Sequence, residues 1–193
     1  MSDSTQNRWS VVLAYYNEAE FLPYTLKSLA AQDLRGFDLY LVDNASKDNS
    51  AALAREVMDA VPDITTHYLT QTTPGQSHAL RMGVDQVQTE FVCIMDADTY
   101  YPPHYLSECD RAFAAAGKDL VGVMATDIYA PANSRDGVLK RLHVWLVSRV
   151  LRRQAHSGGY AYAFRTDVLR KAGSYDADRW PYVLSDHEMV HRD

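Results

Sequence analysis

Phe91-Val92-Cys93-Ile94-Met95, followed at once by Asp96-Ala97-Asp98, decides the fold of this chain. Five apolar residues in a row, closed by acidic turn residues, read as a short strand covered on both faces. Two carboxylates at i and i+2 directly past such a strand can share a hard cation with a diphosphate. A hard divalent ion takes oxygen ligands and fills the rest of its shell with water and phosphate oxygens, so one or two protein carboxylates suffice. An isolated Asp-x-Asp in a loop is equally good capping or solvent chemistry. The flanking segments therefore decide what this one does.

Upstream, strand-like and helix-like segments alternate. Ser10 to Ala14 is a short apolar run, and Phe21, Leu22, Thr25, Leu26 and Leu29 then recur at helical spacing, with Pro23 tolerable in a first turn. Phe37 to Val42 predicts a second strand ending in Asp43-Asn44-Ala45-Ser46, which is turn and N-cap chemistry. Leu53, Val57 and Ala60 space a second helix, and Thr65 to Leu69 predicts a third strand. A helix opened by Gly75 runs through Ala79 and Met82 to the Phe91–Met95 strand. Downstream, Pro102-Pro103 opens a helix through Leu106 and Phe113 to Gly117, and Leu120 to Ala125 predicts a further strand. This alternation predicts βαβ units and an open α/β sheet, whose ligands bind beyond the carboxyl ends of the strands. Tyr16-Asn17-Glu18, Asp43-Asn44 and Asp96-Ala97-Asp98 all fall at such ends, so three acidic clusters are expected to converge.

The 193 residues fit one domain, and a composition of 47% hydrophobic and 23% charged residues excludes collagen-like, low-complexity and disordered classes. No apolar run reaches the ~18 residues of a membrane span, and Met1 to Ser10 lacks a signal-peptide pattern. Two cysteines, Cys93 and Cys109, without ligand spacing to histidines, predict a reduced cytoplasmic protein and no zinc site. A net charge of −6 argues against nucleic acid as a partner. The charge is uneven: Gly137 to Arg153 holds five basic residues and no acid, leaving 14 basic against 25 acidic residues elsewhere. With Leu139, Leu142, Trp145, Leu146 and Val150, segment 137–153 reads as a helix for a peripheral membrane contact, a helix meeting a phosphorylated or lipid-linked acceptor, or a packed helix with snorkelling cations.

Five segments in order resemble the family 2 glycosyltransferases of GT-A fold. They are Ser10–Glu20, Val42–Ser50, Gly75–Gly83 with Phe91–Asp98, Gly159–Arg165 with Gly173-Ser174-Tyr175-Asp176, and Ser185–Arg192. The resemblance implies an open, mostly parallel sheet flanked by helices, and one catalytic domain over 1–193. Residues about 10–125 would bind the nucleotide-sugar and about 126–193 would form the acceptor half. It implies that Ala14, Tyr16, Glu18, Asp43, Gln76 and Asp96 bind the nucleotide-sugar, with Asp43 on the base edge and Asp96 towards the ribose. It implies that Asp98 holds a divalent metal, Mg²⁺ or Mn²⁺, and that Asp186 is the general base of an inverting transfer. His156, Gly159, Tyr160 and Glu188 are acceptor-side candidates. The implied donor is a nucleoside-diphosphate sugar, a UDP-sugar first. The implied acceptor is a carbohydrate or a lipid-linked hydroxyl, in cell-envelope polysaccharide synthesis at the inner face of the membrane. Ala14 stands where the family commonly has proline, and Ser185 replaces the first acid of a Glu-Asp pair. Family members usually continue past the base segment, so the end at Asp193 is expected to mark a truncation.

Three rivals are weaker. A nucleotidyltransferase would want a glycine-rich loop with a basic residue near the N-terminus, and Ala14 to Phe21 has neither. An aspartyl phosphatase would place Thr where Tyr100 stands. A nucleotide-sugar-binding module, inactive through C-terminal truncation, is separated by turnover of a nucleotide-sugar. His78, His104 and His143 read as surface or packing residues, and the tyrosines Tyr160, Tyr162, Tyr175 and Tyr182 as an acceptor-side cluster divided between sugar stacking and core.

Overall fold

A computed structural model of the chain describes residues 7–124, 138, 139, 142 and 161–176. The elements in order are β1 (Trp9–Tyr15), α1 (Leu22–Ala30), β2 (Phe37–Asp43), α2 (Ser50–Met58), β3 (Thr65–Thr70), α3 (Gln76–Gln86), β4 (Phe91–Met95), α4 (Tyr105–Ala116), β5 (Gly122–Met124), β6 (Tyr162–Arg165) and α5 (Thr166–Lys171). The six strands form one sheet in the order β3-β2-β1-β4-β6-β5. The β1–β2, β2–β3 and β1–β4 pairs are parallel, and β6 runs antiparallel to both β4 and β5. The Phe91–Met95 strand is buried at every position, as its unbroken apolar run predicts.

Side chains alternate across the sheet, and the two faces carry two cores. Trp9, Val11 and Leu13 of β1, with Phe91 and Cys93, meet Leu22, Leu26 and Leu29 of α1 and Leu106 and Phe113 of α4. Val12, Val42, Val92 and Ile94 face the other way, onto Ala79, Leu80 and Val84 of α3 and Leu169 of α5. Both faces are therefore covered, which is why the central strands tolerate continuous apolar runs. Helix α3 seats closely: a Cβ on Gly83 would lie 2.4 Å from Val12 Cγ1.

Several boundaries and faces differ from the sequence reading. Phe21 precedes α1 and is exposed, because the helix begins at Leu22. Helix α2 buries Ser50, Ala54 and Met58 and leaves Ala60 exposed past its end, so its inner stripe is rotated from the Leu53-Val57-Ala60 reading. The strand expected over 120–125 is Gly122–Met124, and in the Gly159–Arg165 stretch the described strand is Tyr162–Arg165. Tyr162 and Tyr175 are core residues, so of the expected acceptor-side tyrosines these two pack and do not face solvent. Tyr160 and Tyr182 lie outside the described residues, as do His143, His156, Gly159, Asp186 and Glu188.

Candidate active site

Strands β1, β2 and β4 end side by side: Tyr15 pairs with Asp43, and Leu13 with Met95. The chain moves outward from β1 to β2 and β3, then returns across the sheet to β4 on the opposite side of β1. The β1/β4 boundary is thus the point where the winding direction reverses, where open α/β sheets bind ligands. A cleft of about 1040 Å³ lies there. It is lined by Ala14, Tyr15, Tyr16 and Glu18 beyond β1, Asn44, Ala45 and Lys47 beyond β2, Pro74, Gly75 and Gln76 at the start of α3, and Asp96 to Tyr100 beyond β4. The convergence expected from the three acidic strand ends is therefore present for Glu18, Asp96 and Asp98. Asp43 is half-buried and is not among the lining residues; its Oδ1 accepts the Ser46 N–H at 2.9 Å.

The two loops that wall the β1–β2 side are tied to each other. Asn17 and Ala45 hold φ of 55° and 59°, a left-handed conformation uncommon outside glycine. Asn17 N–H donates to Ser46 Oγ at 3.0 Å, and Asn17 Oδ1 accepts the Lys47 N–H at 2.7 Å. Glu18 N–H donates to Ser50 Oγ, and Ala19 N–H to Asp48 Oδ2. These bonds over-determine the strained backbone, the condition under which such conformations persist. Hydrogen bonds from the Ser50 hydroxyl and backbone N–H hold the Asp48 carboxyl below the usual range.

Asn44 does comparable work one loop further on. Its side chain donates to Gln71 O at 3.2 Å and Thr73 O at 2.8 Å, and its Oδ1 accepts the Gly75 N–H at 2.8 Å. One buried amide thus fixes the segment that carries Pro74, Gly75 and Gln76 into the cleft. From the sequence Asn44 is expected in a turn, and Lys47 carries no signal of its place in the cleft. The fixed loop exists only because β3 pairs with β2, and the single-residue signal for it is weak.

Among the described residues that line it, the cleft carries the acids Glu18, Asp96 and Asp98 and one lysine, Lys47. Burial, followed by the charges of Asp98 and Asp48, pushes the Glu18 carboxyl above its ordinary value. Asp98 is exposed, and among the described residues its hydrogen-bond partner is the Thr99 hydroxyl at 3.5 Å. Among the described residues no group of three His, Cys, Asp or Glu forms a ready-made metal cage. The donor set is nevertheless all carboxylate oxygen in an open cleft. It fits a hard divalent ion that completes its shell from phosphate and water.

The fold is that of the GT-A glycosyltransferases. A mannosyltransferase from Pyrobaculum calidifontis, solved with GDP-mannose and Mn²⁺, superposes with a TM-score of 0.72 at 23% identity over 90% of this chain and 49% of that one. The glucosyl-3-phosphoglycerate synthase of Mycobacterium tuberculosis, solved with Mn²⁺, UDP and glucosyl-3-phosphoglycerate, gives 0.61 at 17% identity over 94% of this chain and 68% of that one. The chain belongs to Glycosyl transferase family 2, whose profile matches residues 10–169. Among curated relatives, the undecaprenyl-phosphate 4-deoxy-4-formamido-L-arabinose transferase of Pectobacterium carotovorum is 31% identical over 147 residues, 75% of this chain and 43% of that protein. Its Edwardsiella ictaluri counterpart is 28% identical over 169 residues, 83% of this chain and 50% of that protein. The chain therefore spans half or less of the length of these curated relatives.

Proposed function

We propose that the chain carries the donor-binding and catalytic machinery of an inverting glycosyltransferase that moves a sugar from a nucleoside-diphosphate sugar to an acceptor hydroxyl. The observation that carries this reading is the meeting of Glu18, Asp96 and Asp98 in one cleft at the reversal point of the sheet. Residues 10–125 form the donor half and 126–193 the acceptor half. Tyr16, Glu18 and Asp43 bind the nucleoside end, Gln76 and Asp96 border the ribose and sugar, and Asp98 holds the metal. A Mg²⁺ or Mn²⁺ held at Asp98 would supply positive charge to offset that of a departing diphosphate. Asp186, on the other side of the sugar, takes the proton of the attacking hydroxyl, a contribution of roughly 10²–10⁴-fold. Attack opposite the leaving group inverts the anomeric centre. Holding both reactants in that line is the rest of the chain's contribution.

Relatives named for undecaprenyl-phosphate support a lipid-linked acceptor. Val138, Leu139 and Leu142 are helical and more than half exposed within the basic segment 137–153, which supports a contact with anionic headgroups on the cytoplasmic face. Among the described residues no helix is long and apolar enough to cross a membrane.

Thermal denaturation with UDP, GDP and dTDP, each with Mn²⁺ or Mg²⁺, tests the reading. A ligand at 100 times its Kd stabilises by about 2.7 kcal/mol, so one metal–nucleotide pair should raise Tm visibly. Asp98→Asn should remove the metal-dependent part and leave the fold intact, because the side chain is exposed. Equal metal-dependent stabilisation of parent and variant would refute the metal assignment.

A further inference from the structure

Helix α1 and the turn that follows it bury three polar side chains: Thr25, Ser28 and Gln32, exposed by 2%, 4% and 0%. Their spacing puts them on the face that also presents Leu22, Leu26 and Leu29 to the core. A helix packing on a core alone would be apolar there. Besides bonds back to α1, from Ser28 Oγ to Thr25 O and from Gln32 Nε2 to Ser28 O, each of the three bonds the segment that leaves β4. Thr25 Oγ1 donates to Ala97 O at 2.8 Å, the carbonyl between the two acids. Ser28 Oγ accepts the Tyr101 N–H at 3.1 Å. Gln32 Nε2 donates to Pro102 O at 2.8 Å while its Oε1 accepts the Leu106 N–H at 3.1 Å. The Asp33 N–H donates to Pro103 O at 2.8 Å.

Tyr101, itself 3% exposed, completes the arrangement: its phenol oxygen accepts the Asp96 N–H at 2.8 Å. The backbone is thus held on both sides of Asp98, at 96–97 and at 101–106. Pro102 and Pro103 have no N–H to donate; the turn they open is closed by the Tyr105 N–H on Pro102 O at 3.0 Å, and the Gln32 amide shares that carbonyl. None of Thr25, Ser28 and Gln32 lines the cleft.

We infer that Thr25, Ser28 and Gln32 are positioning residues for the metal site: through the backbone of 96–106 they fix where the Asp96 and Asp98 carboxylates point. The inference rests on the metal-dependent donor site proposed above. An exposed aspartate on an untethered loop would lose conformational freedom on binding a cation. Hydrogen bonds to the backbone that carries it remove that loss beforehand.

The test compares Thr25→Val, which keeps the shape and loses the donor, with Thr25→Ser, which keeps the hydroxyl. Calorimetry on the full 193-residue chain measures Mn²⁺ affinity at saturating UDP, with GDP in a parallel arm, and nucleotide affinity without metal. Thr25→Val is expected to weaken Mn²⁺ by about 10-fold, as loss of a group supporting a metal ligand typically does. Metal-free nucleotide affinity, which draws on this stretch through Asp96 alone and otherwise on the β1 and β2 ends, should fall far less. Thr25→Ser should restore the metal affinity. Tyr101→Phe, which removes the acceptor for the Asp96 N–H, should move the same reading in the same direction, and it carries the test should Thr25→Val not fold. Parent-like Mn²⁺ affinity in Thr25→Val and Tyr101→Phe overturns the inference, as does a parallel loss of metal and metal-free nucleotide binding. A parent chain that binds nucleotide without regard to Mn²⁺ overturns the metal site itself, and is told apart because it shows before any substitution.

Discussion

Gly83→Ala sets two effects of opposite sign against each other. Gly83 lies in the interior of α3, where alanine is worth about 1 kcal/mol more helix stability than glycine. The added Cβ would, however, come 2.4 Å from Val12 Cγ1 and 3.1 Å from Val42 Cγ2. Ordinary contact begins near 3.4 Å, so the helix or Val12 must give by about 1 Å. Val12 and Val42 are fully buried, and a β-branched side chain in a sheet has few other rotamers to take. Overpacking of this kind costs about 1–3 kcal/mol. The net expectation is a loss of up to about 2 kcal/mol, or up to roughly 8 °C in Tm for a chain of this size. Circular dichroism with urea and heat measures it. Combining Gly83→Ala with Val12→Ala should cost less than the sum of the two, because the second change removes the clashing methyls; a coupling of at least about 0.5 kcal/mol is expected. Because Gly75 and Gln76 at the start of α3 line the cleft, nucleotide affinity should fall with it. A Gly83→Ala chain more stable than the parent, or strictly additive effects, would refute the close seating of α3 on the sheet.

Three further outcomes test the site. Glu18→Gln should raise Tm at neutral pH: the folded-state pKa of Glu18 lies above its ordinary 4.5, so ionising it opposes folding once the pH exceeds that range. The gain should vanish near pH 3, where the parent carboxyl is protonated in folded and unfolded chains alike, and a gain that persists there would exclude the charge explanation. Asp43→Ala should weaken free nucleoside as much as nucleoside diphosphate, by about 1.5–3 kcal/mol, the range for a hydrogen bond to a charged partner; calorimetry showing a loss confined to the diphosphate would move Asp43 to the metal site. Asp186→Asn should leave nucleotide-sugar affinity nearly unchanged while transfer falls by ~10²–10⁴-fold; equal loss of both would make Asp186 a donor-binding residue, and loss of neither would move the base to Glu188.

The order of strands and helices through Met124 and the acids at the strand ends were legible in the sequence. They were legible because each depends on neighbours a few residues away: the apolar run 91–95, the Gly75 helix start, the turn chemistry at 43–46 and the prolines at 102–103. Parallel βαβ winding then carries those strand ends to one edge, so Glu18, Asp96 and Asp98 could be expected to meet. What tertiary structure alone decided depends on partners far apart in the chain. The antiparallel insertion of β6 between β4 and β5, and the burial of Tyr162 and Tyr175, follow from which strand edge was open. The Asn44 clamp needs β3 beside β2, and Lys47 faces the cleft only because the β1 and β2 loops are tied together. Thr25 falls on the inner stripe of the predicted helix, but neither it nor Ser28 and Gln32 shows a partner until α1 is laid against residues 97–106. A hydroxyl or amide carries no mark of its partner, and only the packing of sequence-distant backbone shows why it is buried.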